Sequence, residues 1–448
     1  MNAMGVRWTA EQVLALAPDD ASRRAGSKLG TAGPWSGRGS GDGAVWGLCK
    51  GSGRVPYRTV VDTAGPAYFC ECPSRKFPCK HALGLLLLQA SDGTEREETT
   101  PPDWAGRWLA ARRARAGSAA PRTEGGDTGS PADPEAARRR AERRAARITS
   151  GAEELEQRLA DLLRGGLAAA EQRGYGLWEE TAARMVDAQA PGLAGRVREL
   201  GAIPGSGPGW PVRLLEECAL THLLDRAWLT ADRLPAPFAT TVRTRVGLPS
   251  PVGGVPVRDH WLVLAQYDAA DARLTTRRIW LHGAASGRTA LLLSFGAAGR
   301  APRLALPVGA VVDGEVTPHA GAGQLRAEPG EQFVPVEGPA VPPPGGPVGA
   351  ALDAYGRALR EDPWLDSWPV TLDGVVPARA EYGWQLADAD GREALPLTSA
   401  AQSRPGLWRL VALSGGAPVT VFGECGHRGF APLAAWSPDA PGETVPLI

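Results

Sequence analysis

Residues 70–81 read CECPSRKFPCKH, and no other stretch restricts the fold of this chain as tightly. Three of the six cysteines and one of the six histidines fall inside it: Cys70, Cys72, Cys79 and His81. The residues leading into Cys70 are apolar and aromatic and follow a proline, which predicts a strand end. Side chains two apart on a strand share a face, so the sulfurs of Cys70 and Cys72 aim at one point. A disulfide closed across the single intervening residue would be strained. Pro73 and Pro78 bracket a short basic loop that turns the chain back. Cys79-x-His81 then opens the apolar run ALGLLLL, with Pro78 where a helix start tolerates proline. A helix N-terminus favours a thiolate at Cys79.

Three sulfurs and one imidazole, drawn from a strand, a loop and a helix start, form a closed tetrahedral set. A Cys3His set leaves no position for a substrate water, so the expected cofactor is a structural Zn2+. The rival readings are unligated core residues and a redox switch; the second would call for Cys-x-x-Cys in a thioredoxin-like setting. Cys49 reads as a packed strand cysteine rather than a fifth ligand. Arg75, Lys76 and Lys80 surround the site. They either balance the net negative charge of a zinc ion with three thiolates or contact phosphate.

Cys-x-Cys, a spacer and Cys-x-His together resemble the SWIM zinc finger. The flanking residues are also similar to its bacterial members: Trp46-Gly47, Gly51-Ser52-Gly53, Pro56-Tyr57, and the run Cys72 to His81. The likeness covers roughly residues 40–90. It implies zinc binding, with DNA or protein interaction, and by itself no enzyme activity.

Composition bears on partners and compartment. The chain of 448 residues carries 49 Lys+Arg against 49 Asp+Glu, so no overall field draws it onto nucleic acid or membrane, and any such attraction is local. The first 90 residues hold 11 basic against 6 acidic side chains, which keeps a nucleic-acid reading open. No signal peptide is read at the N-terminus, and no apolar run approaches the ~20 residues of a membrane helix. Cysteines without spaced partners do not suggest a disulfide framework, so a soluble, cytoplasmic protein is expected.

The expected fold class is α+β: a small zinc-stapled N-terminal α+β module, a helical middle and an antiparallel β-rich C-terminal half. The module spans 1–90. Thr9 to Gln12 forms a capping-box pattern for a first helix. Residues 44–49 and 57–62 read as strands. Residues 91–133 read as a linker containing a docking helix around Trp104 and Trp108, which makes the module tethered rather than fused. A helical region follows over 134–232. Its first helix sets Ile148, Leu155, Leu159, Leu162 and Leu163 on an apolar face, and a later stripe buries Trp178, Met185 and Val186. Arg138, Arg139, Arg140, Arg143, Arg144 and Arg147 form a basic block before that face, either as a solvated surface or as contacts to phosphates or an acidic partner, the first five being the candidate contacts. The β-rich region is 235–448, with a division near 336–347, a strand at 407–413 and a helix near 349–360.

The β-rich half shows no G-x-S-x-G, Walker loop, H-E-x-x-H or dinucleotide fingerprint. Cys425-x-His427 has half of a finger's spacing and no second pair. The expected function is that of a zinc-binding interaction protein whose finger mediates protein–protein or nucleic-acid binding, with a protein partner favoured. The alternatives are a nucleic-acid-binding regulator using the basic loop and arginine block, and an enzyme with an unfamiliar site in the β-rich half.

Overall fold

The computed structural model describes residues 8–448 apart from 18–19, 42, 52–54, 64–66, 75, 77, 92–98, 118–133, 168–169, 171–173, 250–252, 271–273, 298–301, 303, 322, 324, 337–339 and 382. Its elements follow the α+β class, with strands and helices segregated along the chain.

The N-terminal module contains α1 (Ala10–Ala15), α2 (Asp20–Ser27), β1 (Trp35–Gly41), β2 (Ala44–Cys49), β3 (Tyr57–Asp62), β4 (Ala67–Cys70) and α3 (Lys80–Ser91). The four strands pair antiparallel in sequence order. The capping box forms: Thr9 Oγ1 accepts from the Gln12 amide and Gln12 Oε1 accepts from the Thr9 amide, at 3.1 and 2.9 Å. Strand β1 was not expected in glycine-rich sequence. Its glycines allow a close crossing, since a Cβ on Gly39 would lie 2.6 Å from the Trp46 ring.

Strand alternation divides the sheet. Val45, Val61 and Tyr68 face α3, whereas Ala44, Trp46 and Val60 receive Ala105 and Leu109 of α4 (Asp103–Gly117). Arg112 of α4 also pairs with Asp62 at 2.7 Å. The docking helix read around Trp104 is therefore longer than a short contact.

A helical bundle follows: α5 (Pro134–Gly165), α6 (Gly174–Asp187), α7 (Pro191–Ala202), α8 (Trp210–Leu229) and α9 (Ala236–Arg245). Ile148, Leu155, Leu159, Leu162, Trp178 and Met185 are buried in its core as the helical period requires. Leu163 and Val186 are exposed instead. Each lies one residue, about 100°, beyond a buried neighbour and so points off the core stripe. The helices also run past residue 232, because α9 buries Val242 in the bundle. Its β-branched run, TTVRTRV, reads locally as strand, and tertiary packing overrides that propensity.

Strands β5 (Val257–Ala270), β6 (Leu274–Gly283), β7 (Thr289–Ala297), β8 (Val311–Pro318) and β9 (Arg326–Val336) close a barrel in the order β5-β6-β7-β9-β8. All pairs are antiparallel except β7 with β9, which departs from the purely antiparallel expectation. This is the strand order of a five-stranded Greek-key barrel of the OB type, whose second and third strands commonly present the ligand face.

Beyond α10 (Val348–Glu361) lies a six-stranded antiparallel sheet. It contains β10 (Ser367–Ala380), β11 (Gly383–Asp388), β12 (Ala394–Pro396), β13 (Val419–Gly426), β14 (Gly429–Ser437) and β15 (Ala440–Pro446), in the order β12-β11-β10-β13-β14-β15. Two helices, α11 (Ser399–Gln402) and α12 (Gly406–Ser414), precede β13. Residues 407–413 are thus helical, not a strand. Leu407, Leu410 and Ser414 are buried at a helical interval, and Gly415 closes the helix in the left-handed conformation.

Two of the contacts that join these parts involve the barrel. Leu262, Leu264, Trp280 and Leu291 on the outside of the barrel form one buried cluster with Phe422, Leu433, Ala434 and Trp436 of the sheet. There Arg278 lies 5.9 and 5.8 Å from the Tyr267 and Trp280 rings. Glu424 binds both Arg278 and the Tyr267 hydroxyl, at 3.3 and 3.1 Å. The outer face of β5, with Trp280 of β6 and Leu291 of β7, is thereby covered by the chain itself, whereas Phe295 farther along β7 stays exposed. At the other contact, the N-terminal module shares a continuous apolar core with the barrel interior, from Trp8 and Leu83 to Trp261 and Phe333. Tyr68 of β4 lies fully inside it, within electrostatic reach of Arg277 of β6. The module is packed against the barrel rather than tethered beside it. Such long-range packing leaves no local mark in the sequence.

One polar group in the bundle core sets a pH dependence. Asp225 of α8 is fully buried, and neither carboxyl oxygen has an aligned hydrogen-bond partner. Burial, reinforced by the nearby Glu156 carboxylate of α5, pushes Asp225 up to about 9, against a smaller opposing pull from Arg196 of α7. Glu156 is itself engaged by His222 Nδ1 at 2.7 Å. The unfolded chain ionises Asp225 above about 4, whereas the folded chain holds its proton to about 9. The stability associated with this group is therefore complete below pH ~4 and falls as pH rises toward 9. Asp225→Asn is expected to flatten that slope and to add on the order of 2–3 kcal/mol at neutral pH. Chemical denaturation at several pH values checks this. An unchanged slope would show that Asp225 does not titrate in this window.

Candidate metal centre

Antiparallel pairing sets Cys70 at the end of β4 directly across from Thr59 of β3. The strand stops there, so Cys72 comes to the site from a bend and not by strand alternation. Cys79 immediately precedes α3, its carbonyl accepting from Leu83 at 3.0 Å, and His81 lies in the first turn of that helix. One ligand atom from each of Cys70, Cys72, Cys79 and His81 falls within 4.8 Å of the others. Cys70, Cys79 and His81 are buried, whereas Cys72 is half-buried.

The spacing and chemistry fit a zinc ion. Zinc bonds of about 2.3 Å to sulfur and 2.0–2.1 Å to nitrogen give a tetrahedral edge of about 3.6 Å. The Cys70 Sγ to His81 Nδ1 separation is 3.6 Å. Three sulfurs this close cannot all carry charge without a cation. Hydrogen bonding with Cys70, then Cys79, draws the Cys72 thiol well below the ordinary cysteine range. The sulfur neighbours act oppositely elsewhere: Cys72 raises Cys70 to about 11, and Cys70 with Cys72 raises Cys79 further. A divalent cation relieves that conflict, because a metal-bound thiol is deprotonated outright. Among the described residues, no other group of His, Cys, Asp and Glu is close enough to hold a metal ion.

Two residues support the site in ways not read from sequence: Thr59 is not singled out there, and Tyr57 enters only as a flanking residue of the resemblance. The Thr59 hydroxyl lies 3.3 Å from Cys70 Sγ in the interior. The Tyr57 ring sits against the His81 imidazole, 5.1 Å between centroids. Both depend on the register of β3 between β2 and β4, which a single sequence does not display. Cys49 stays outside the group, buried in β2, where burial first and Cys70 second push its thiol up to about 11.

The basic residues divide. Lys76 and Lys80 are exposed beside the site, whereas Arg75 lies outside the described residues. On α5, Arg138 pairs with Glu142 and Arg139 with Glu135. Arg140 and Arg143 are exposed. Arg144 is half-buried and donates to the Gly247 carbonyl at 3.3 Å. In the β-rich half, Cys425 is buried, and His427 Nδ1 lies 3.4 Å from the Tyr355 hydroxyl. No metal-ligating group forms around that pair among the described residues. No described helix is long and apolar enough to cross a membrane.

A family model of the SWIM zinc finger matches residues 57–89, a span containing all four converging side chains and their supports Tyr57 and Thr59. A second, described as a SWIM-associated four-helix bundle domain, matches residues 143–246, from within α5 to just past the end of α9. No curated protein and no solved structure matches the chain. The strand, bend and helix start around Cys70, Cys72, Cys79 and His81 are thus those of a SWIM zinc finger with Zn2+ as its cofactor, and the chain carries this finger together with a SWIM-associated helical bundle.

Proposed function

We propose that this chain is a protein-interaction scaffold in which Cys70, Cys72, Cys79 and His81 hold a structural zinc ion. The observation that carries this reading is the enclosure of the site. Cys70 and Cys79 are buried in the core shared with the barrel and His81 is buried beside them, which suits a staple, and a closed Cys3His set leaves no position for a substrate. Trp280 of β6 and Leu291 of β7 lie under the C-terminal sheet, which supports a protein partner further, because they take up part of the face where a barrel of this order would otherwise receive an oligonucleotide.

The exposed Lys76 and Lys80 favour a second reading, contact with nucleic-acid phosphates through the finger loop. Recovery of the tagged protein from native lysate, with and without nuclease, separates the two. Partners that survive nuclease support the scaffold; partners lost with nucleic acid support the second reading. Replacing Arg75, Lys76 and Lys80 together by alanine is expected to leave zinc content unchanged. If the loop binds phosphates, it also lowers nucleic-acid affinity and flattens its salt dependence by up to about three phosphate contacts. Unchanged affinity and salt slope would assign these charges to balancing the zinc thiolates.

A further inference from the structure

The bundle carries an arginine-lined cleft separate from the zinc site. Arg140 and Arg144 of α5 and Arg243 of α9 line a cleft of about 490 Å³. Its apolar lining comes from Ala141, Ala145, Leu248 and Pro249. The one acid at its edge among the described residues, Glu142, is engaged by Arg138 at 2.8 Å. Arg144 turns one nitrogen to the Gly247 carbonyl, and its buried Nε has no hydrogen-bond partner. Guanidinium groups gathered without a neutralising carboxylate raise the local potential and favour an anion.

The same bundle already shows what kind of anion suits it. On α9, Arg245 receives the Asp362 carboxylate through Nε at 3.1 and 3.0 Å. Two residues later, Trp364 is buried in the bundle core, stacked on Phe238. An acidic side chain on arginine beside an apolar side chain in the bundle is thus a mode the chain uses on itself. The second cleft repeats both halves of that chemistry. Its lining has no aromatic platform among the described residues, so it is poorly suited to stacking bases.

We propose that this cleft receives an acidic segment with flanking apolar residues from a protein partner. Carboxylates would meet Arg140 and Arg243, and apolar side chains would cover Leu248 and Pro249. The inference rests on the interaction-scaffold reading and names the chemistry of its partner.

The test titrates the full-length zinc-loaded chain with a labelled peptide copying residues 361–367, EDPWLDS, and separately with duplex DNA. The chain's own copy holds the Arg245 site at high effective concentration, which leaves the second cleft for the added peptide. Saturable peptide binding is expected, weakened at least about ten-fold in the Arg140→Ala/Arg243→Ala variant. Both arginines are exposed, so unchanged zinc content and melting would show that the variant folds normally. No saturable peptide binding, or binding indifferent to the variant, would overturn the proposal. Duplex DNA binding that the same variant abolishes would overturn it in favour of phosphates. Nuclease-resistant partners retained equally by the variant would overturn the cleft alone and leave the scaffold reading standing.

Discussion

Serine in place of Cys72 is expected to reduce bound zinc below one per chain and to unfold the N-terminal module. Cys72 is the informative position because it is the one of the four proposed ligands that is not buried. The substitution removes a sulfur with little loss of packing, so any collapse reports on the metal. Structural zinc binding is worth about 10–16 kcal/mol at neutral pH, more than a small module holds in reserve. The loss should spread along the shared core. Tyr68, two residues before Cys70, is buried in the cluster that continues into the barrel through Trp261 and Phe333. Hydrogen exchange should therefore accelerate first in β2, β3, β4 and α3, and next in the barrel strands. Zinc analysis with exchange mass spectrometry checks both parts. Cys49→Ala is the control, since Cys49 lies outside the ligand group and should retain full zinc. A full complement of zinc in Cys72→Ser would remove Cys72 from the ligand set. Lost zinc with unchanged exchange would deny the metal its stapling role.

The metal centre was readable from sequence because all four ligands lie within twelve residues, and because turn, strand and helix-start signals all agree there. The two strands read at 44–49 and 57–62 have those limits in the structure, since each carries dense β-branched or aromatic residues. What escaped was non-local. Thr59 and Tyr57 acquire their places only through pairing of β3 with its neighbours, Thr59 opposite Cys70 of β4 and Tyr57 opposite Cys49 of β2. The barrel order requires β9 to lie between β7 and β8, a crossing that no local pattern encodes. At 407–413, strand-like apolar density concealed a helical interval, and the left-handed Gly415 was the overlooked stop signal. Trp364 is the sharpest case: it follows a proline in a chain segment remote from the bundle, yet it is buried in the bundle core.

Alanine at Trp364 is accordingly expected to uncouple the bundle from the C-terminal sheet, at a cost of about 3–5 kcal/mol. The side chain is 3% exposed, stacks on Phe238 with 5.9 Å between ring centroids, and donates its indole N–H to the Leu220 carbonyl at 2.9 Å. Its loss opens a cavity among bundle helices and leaves that carbonyl without its indole donor. It also weakens the neighbouring Arg245–Asp362 pair, because Asp362 Oδ1 accepts from the Trp364 backbone amide at 3.2 Å. The pair alone would not hold the two parts together. Arg245 keeps 29% of its side-chain surface in solvent and is partly screened. Thermal unfolding should therefore change from a shared transition to separate ones for the bundle and the sheet. The matched control is Trp408→Ala, which removes an indole that is 61% exposed and should cost no more than about 0.5 kcal/mol. A shared transition that shifts no further in Trp364→Ala than in Trp408→Ala would mean that the barrel contact through Trp280, Phe422 and Trp436 couples the sheet to the rest of the chain without the Trp364 latch.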